Sequence, residues 1–127
     1  MTRWNIPISL PITLESVLQA LGERDWVKIA NNTWFLRRED GEASVKLLLS
    51  DIIRLHRDGS YTLYANGLDM HATYRKLSEL APVEVFMQHG SLMYRPFGDP
   101  AGRPREFYDG IRVDRRGLPM EEAVLAA

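Results

Sequence analysis

The stretch from residue 26 to residue 64, WVKIANNTWFLRREDGEASVKLLLSDIIRLHRDGSYTLY, decides the fold. Its short apolar runs are separated by polar residues, and the pairs Asp40-Gly41 and Asp58-Gly59 tolerate the positive φ that tight hairpin turns need. Two more pairs with this property, Asn66-Gly67 and His89-Gly90, follow downstream. The pattern predicts a meander of antiparallel strands joined by tight turns.

Seven strands are predicted, five within this stretch and two beyond it. In the fifth, the alternation places Tyr61 and Leu63 on one face of the sheet and Thr62 and Tyr64 on the other. A second hairpin is expected around His89-Gly90. The predicted strands cover residues 26–30, 33–37, 43–49, 52–56, 61–64, 83–87 and 92–95.

Two short amphipathic helices are predicted from apolar residues that recur with helical spacing. The first begins after Thr13, a good N-cap, and ends before Gly22, a good C-terminal cap. The second covers residues 71–81 and is expected to be capped by Asp69 or Thr73.

The fold class expected is therefore α+β, with residues 1–127 forming a single domain in which a twisted antiparallel meander packs on the two short helices. Residues 1–12 alternate apolar and proline or serine positions, which indicates an edge strand or an extended arm lying on the core. Residues 96–106 form a Pro/Gly-rich loop within an irregular C-terminal segment, and residues 118–127 form a tail. Pairing of the arm with a second copy would give a homodimer.

The amino-acid composition excludes several classes of function. The chain has no cysteine, which excludes disulfides, thiolate metal sites and cysteine nucleophiles and fits a reducing, cytoplasmic location. The net charge of −1 does not steer the whole molecule toward nucleic acid or anionic lipid. No apolar run approaches the roughly 20 residues that cross a bilayer, and no signal peptide is recognised, so a membrane partner is not expected.

No nucleophile elbow, phosphate-binding glycine loop or dinucleotide fingerprint is present, so the chain is not expected to be an enzyme or to need a cofactor. One catalytic alternative stays open. The pairs His56 with Asp58 and Asp69 with His71 have strand spacing, and facing strands could join them into a two-histidine, carboxylate metal site of a small metal-dependent enzyme.

The better functional signal is a mixture of arginines and aromatic rings. The chain has 13 Arg and only 3 Lys, and arginines lie next to aromatic residues in and around the 96–106 loop. Guanidinium groups with exposed rings are typical of protein-interface hot spots and of single-strand nucleic-acid binding. The candidate contact residues are Arg95, Phe97, Arg103, Arg105 and Tyr108.

Several short signatures occur in an order that resembles a group of small uncharacterised phage and prophage proteins. The resemblance covers about residues 28 to 117, with Ser50 in place of the usual threonine and 66–71 in place of a Gly-Gly-Trp, threonine-rich stretch. It implies a mobile-element accessory protein that binds and blocks a host system. The signatures are Asn31-Asn32-Thr33, Ser50-Asp51-Ile52, Asp58-Gly59 with Thr62-Leu63, Asn66-Gly67, Thr73 with Arg75, Pro82, and Phe107-Tyr108-Asp109-Gly110.

The leading hypothesis is therefore a non-catalytic binding protein of a phage or mobile element, an anti-CRISPR-like inhibitor of a bacterial defence complex whose partner is a host or phage protein complex. The alternative that uses the same arginines is a nucleic-acid-binding accessory or regulatory protein, for which a steep loss of affinity with salt is expected.

Overall fold

The computed structural model describes residues 4–65, 70–99 and 101–120. They form a single α+β domain of antiparallel sheets and two helices, which confirms the predicted class. The helices are α1 (Leu14–Leu21) and α2 (Met70–Leu80), and a short 3-10 helix covers Glu39–Gly41. The strands are β1 (Trp26–Ala30), β2 (Thr33–Arg37), β3 (Ala43–Leu47), β4 (Ser50–Leu55), β5 (Tyr61–Leu63), β6 (Val83–Gln88), β7 (Ser91–Pro96), β8 (Arg105–Glu106) and β9 (Ile111–Val113).

Helix α1 begins and ends where its sequence predicts. The Ser16 amide donates to Thr13 Oγ1 at 3.1 Å, and the Thr13 amide donates to Ser16 Oγ at 2.9 Å, so both amides are capped reciprocally. At the other end Gly22 has φ 62° and its amide donates to the Leu18 carbonyl at 3.0 Å. Neither described helix is long and apolar enough to span a membrane.

Of the two predicted caps of helix α2, Thr73 is not the capping residue, because it lies inside the helix and is fully buried. Asp69, the other predicted cap, lies outside the described residues. The C-terminal half of α2 packs against β6, where Ser78 Oγ accepts from the Val85 amide at 2.9 Å.

The larger sheet has six strands in the order β1-β2-β3-β4-β5-β9. One row of residues crosses all six strands in register, and each member is at most 7% exposed. Burial of each such side chain contributes about 1.5–3 kcal/mol, which explains why the alternation is so regular here. The row consists of Val27, Phe35, Val45, Ile53, Leu63 and Ile111.

The second hairpin does not extend this sheet. Strands β6 and β7 pair around His89 (φ 50°) and Gly90 (φ 79°), as predicted, and β8 adds to β7 to give a separate three-stranded sheet. The place beside β5 is instead taken by β9 from the C-terminal segment. The strands thus divide between two sheets rather than forming one.

The two described Asp-Gly pairs form different kinds of connection between strands. Asp58-Gly59 turns the chain between β4 and β5 as predicted, with Gly59 at φ 89°. Asp40 (φ 61°) and Gly41 lie instead in the 3-10 helix between β2 and β3, so that connection is longer than a two-residue turn. Asn66-Gly67 falls outside the described residues.

The N-terminal arm lies on the core and is not a strand. Ile12 is fully buried, Ile6 and Ile8 pack against the core, and the Asn5 amide donates to the Ile29 carbonyl at 2.7 Å. Leu10 departs from the predicted apolar face, because 50% of its surface is exposed. At the other terminus, an isolated bridge joins Pro119 to β9, while residues 121–127 of the predicted tail lie outside the described residues.

Candidate functional site

The six-stranded sheet has one covered and one open face. Helix α1 lies on the face that carries Phe35, where Ser16 and Phe35 line a common groove. The opposite face, called the outer face below, carries the side chains that alternate with the buried row. Most polar and aromatic groups from β1 to β5 are exposed or half-buried there, whereas Ser44 is fully buried and accepts from Arg38 Nε at 2.9 Å.

A β-bulge decides which β4 side chains reach the outer face. Val45 pairs with Ile53, but the next β3 residue, Lys46, pairs with Asp51, so Ile52 is the extra residue. Both isoleucines are fully buried as a result. Asp51 is turned to the outer face, where it accepts from Arg38 Nη2 at 2.8 and 2.6 Å.

Glu42 is the centre of a second polar cluster on this face. Its Oε1 accepts from Arg54 Nε at 3.0 Å and lies 3.0 Å from Arg54 Nη2 in an ion pair, and its Oε2 lies 3.0 Å from His56 Nδ1. Burial raises the pKa of Glu42, but the hydrogen bonds from His56 and Arg54 outweigh that effect and bring the pKa below its ordinary value of 4.5. The carboxylate is therefore ionised at neutral pH.

The cluster continues into a hydroxyl–imidazole–carboxylate chain. Because the ionised Glu42 can only accept, His56 Nδ1 donates to it, and His56 Nε2 lies 2.6 Å from Thr62 Oγ1. This order of groups occurs in nucleophilic triads. Glu42 and His56 line the adjoining open cavity of about 660 Å³, and the described residues that line it do not include Thr62. Arg54, Glu42, His56 and Thr62 thus form one polar network on the outer face.

An aromatic and cationic surface occupies the other half of the outer face. The ammonium groups of Lys28 and Lys46 lie 5.8 and 5.7 Å from the ring centroid of Trp34, one on each neighbouring strand. Trp26, two positions before Lys28 on the edge strand, is 60% exposed. These four residues are called the Trp34 platform. Trp34 is half-buried on this face, whereas the next residue, Phe35, is buried on the covered face.

The predicted contact residues near the 96–106 loop are not all on one surface. Arg95 Nη2 contacts Glu84 Oε1 at 3.0 Å and its guanidinium lies 4.9 Å from the Phe86 ring. Arg105 pairs with Tyr94 in the β7–β8 register and so lies on the opposite face of the small sheet from Arg95. Three others are solvent-exposed: Phe97, Arg103 and Tyr108.

Phe97 stands at the edge of an apolar cavity of about 330 Å³, called the Phe97 cavity below. The ring is 64% exposed, the largest exposed fraction among the aromatic residues of the described chain. The cavity lies where the N-terminal arm, the end of α2 and the residues after β7 meet. Its walls are Leu10, Pro11, Arg75, Ser78, Glu79, Ala81 and Phe97.

His56 and Asp58, two of the predicted metal ligands, are hydrogen-bonded to different partners. His56 contacts Glu42 and Thr62, whereas Asp58 accepts from the Ser60 amide at 2.9 Å and from Arg112 Nη2 at 2.8 Å. Within residues 4–65, 70–99 and 101–120, no group of three or more metal-ligating side chains is found. Asp69 lies outside these residues.

Sequence reasoning missed both clusters of the outer face. The sequence gives no signal that Glu42 belongs to a site, because Glu42 follows a turn. The partners of His56 cannot be predicted either, because they depend on how the strands pair. The Trp34 platform had a signal, since Trp34 begins the run Trp-Phe-Leu-Arg-Arg in a predicted strand. Which of its rings reach solvent depends on register.

The chain matches no family model, no curated protein and no solved structure.

Proposed function

We propose that this chain is a non-catalytic binding protein that holds a protein partner at the Phe97 cavity. The observation that carries the proposal is the combination of a 64% exposed phenylalanine with an apolar cavity of about 330 Å³ beside it. An exposed aromatic ring next to an apolar recess is typical of an interface hot spot, because a partner side chain can fill the recess and cover the ring.

Backbone hydrogen bonds join the segments that form the walls of the cavity. The Phe97 amide donates to the Pro82 carbonyl at 2.9 Å, and the Ile12 amide donates to the Leu80 carbonyl at 2.9 Å. These bonds hold the arm, the end of α2 and the residue after β7 together. A cavity formed before binding costs little conformational entropy when it is filled, which supports a role in tight association.

Charges of both signs border the cavity. Arg75 and Glu79 line it, and Arg103 and Arg105 lie exposed in the segment that follows Phe97. We assign the contacts to Phe97, Arg103, Arg105 and Tyr108, with Arg95 supporting the small sheet through Glu84. The resemblance to phage proteins makes a bacterial defence complex, such as a CRISPR effector, the first partner to test.

The test is affinity capture from bacterial lysate with and without nuclease, at low and high salt. Wild-type protein is expected to capture a stoichiometric protein complex at both salt concentrations. Phe97→Ser and the double variant Arg103→Glu, Arg105→Glu are expected to lose it. Met87→Ser is the matched control, since Met87 is a 47% exposed apolar residue that does not line the cavity.

The proposal is wrong if capture by Phe97→Ser and by the double arginine variant equals capture by the wild type. Recovery of nucleic acid alone, lost at high salt, would equally contradict a protein partner at this cavity.

A further inference from the structure

The Trp34 platform carries cations that the rest of the protein does not neutralise. Within residues 4–65, 70–99 and 101–120, neither Lys28 nor Lys46 has a carboxylate within 4.0 Å. Asp51 faces Lys46 across β3 and β4 but is held by two hydrogen bonds from Arg38. The arginines of this face are similarly matched, as Arg54 is by Glu42. The two lysines are thus cations of the outer face that form no ion pair with described residues, and the acidic side chains at the Lys28 end are those of Glu23 and Asp25, which line a surface recess together with Trp26 and Lys28.

The rings of the platform are available from solvent. Trp26 is 60% exposed, and Trp34 is half-buried, with the ammonium groups of Lys28 and Lys46 at 5.8 and 5.7 Å from its ring centroid. The register places Lys28, Trp34 and Lys46 side by side on three neighbouring strands, so the lysine Cα atoms lie about 10 Å apart with the indole between them. Two cations therefore flank a flat aromatic surface.

We propose that the Trp34 platform binds a single nucleic-acid strand, with bases stacked on Trp26 and Trp34 and phosphates held by Lys28 and Lys46. A repeating anion matches the two unpaired ammonium groups, and unstacked bases match the indoles. A duplex keeps its base faces inside the stack and cannot use the rings. The surface is distinct from the Phe97 cavity, so this inference does not depend on the function proposed above.

The test is fluorescence anisotropy with a fluorescein-labelled single-stranded DNA of 20 nucleotides and mixed sequence. Wild-type protein is expected to bind it, and to bind the matching duplex at least tenfold more weakly. Two phosphate contacts predict a log–log salt slope of about −1.4, so affinity should fall about sevenfold between 50 and 200 mM salt. Lys28→Gln with Lys46→Gln should lose at least tenfold at 50 mM salt and most of the salt slope.

Three variants separate binding from folding. Lys76→Gln is the matched control, because Lys76 is the third lysine of the chain and lies 4.7 Å from the ring of Trp4, outside the platform. It should bind like the wild type. Lys28→Arg with Lys46→Arg keeps both charges and should retain binding within threefold. Trp26→Ala, at an exposed position, should lose at least fivefold with an unchanged melting temperature.

Three results would overturn the inference. The first is the absence of anisotropy change with wild-type protein at 100 µM and 50 mM salt. The second is equal binding by the wild type and the Lys28→Gln, Lys46→Gln variant. Duplex bound as tightly as the single strand would also contradict it, since the rings would then have no role.

Discussion

His56 Nδ1 lies 3.0 Å from Oε2 of Glu42, and this contact couples a turn residue to the end of strand β4. The same carboxylate is held by Arg54, and His56 reaches on to Thr62 on β5. Glu42 therefore connects β3, β4 and β5 on the side of the sheet that no helix covers among the described residues. Its charge should stabilise the fold, in a manner that depends on pH.

Loss of the Glu42 charge should lower stability at neutral pH and have little effect in acid. The pKa of Glu42 is lowered in the folded state, so its contribution is complete above about pH 4.5 and is lost as the pH falls through the folded-state pKa. Glu42→Gln should cost about 1–3 kcal/mol at pH 7, because Arg54 and His56 lose an ionic acceptor. Urea unfolding at pH 7 and pH 3 measures both values.

Asp58 also contributes to the dependence of folding stability on pH. Its pKa is also lowered, mainly by hydrogen bonds from Ser60, so the wild type should lose some stability in acid through Asp58 as well. The informative quantity is the difference between wild type and Glu42→Gln at each pH. An equal difference at pH 3 and pH 7 would contradict the charge-based account.

Tyr61 should make the fold sensitive to alkali. Its hydroxyl donates to the Ile12 carbonyl at 2.6 Å, and burial raises its pKa above the ordinary 10.0. Above pH 10 the unfolded state ionises first, so stability should fall as the pH rises further. Tyr61→Phe removes the ionisable group and should show a flatter decline between pH 9 and pH 11. Parallel declines for the two proteins would refute this role.

Arg38 and Asp51 should be coupled in stability, since two hydrogen bonds of 2.8 and 2.6 Å join them across the bulge. Both side chains are about one-third exposed, so a double-mutant cycle with Arg38→Ala and Asp51→Ala should give a coupling of only about 0.5–1 kcal/mol. Thermal unfolding of the four proteins measures it. A coupling indistinguishable from zero would mean that the bulge, and not this pair, directs Asp51 outward.

Gly117 should be the least replaceable of the turn glycines. It has φ 83°, and a Cβ there would overlap the Pro82 carbonyl oxygen. Gly90→Ala is the matched control, because Gly90 has φ 79° with open space around it. Gly90→Ala should cost about 1–2 kcal/mol from strain alone, and Gly117→Ala at least 2 kcal/mol more. Similar melting temperatures for both variants would contradict the predicted overlap.

The local sequence pattern was sufficient to predict where most helices and strands of this protein lie. Helix α1 and strands β1 and β2 match their predicted bounds, because capping, helical spacing and strand alternation act over a few residues. The use of Asp40-Gly41 in a 3-10 helix was not predictable from the dipeptide, since a positive φ suits several connections. The candidate contacts near Phe97 were visible as exposed rings and arginines, but their separation between two faces was not.

By itself, the sequence determined that this chain is a cysteine-free α+β domain with an antiparallel meander and two short helices, because such features follow from composition and local periodicity. Only the tertiary structure decided that the strands form two sheets, that β9 completes the larger one, and that a bulge at Ile52 turns Asp51 outward. The surfaces on which function is proposed are also features that only the tertiary structure decided. Register and long-range packing bring Lys28, Trp34 and Lys46 together, and no local pattern encodes which strands become neighbours.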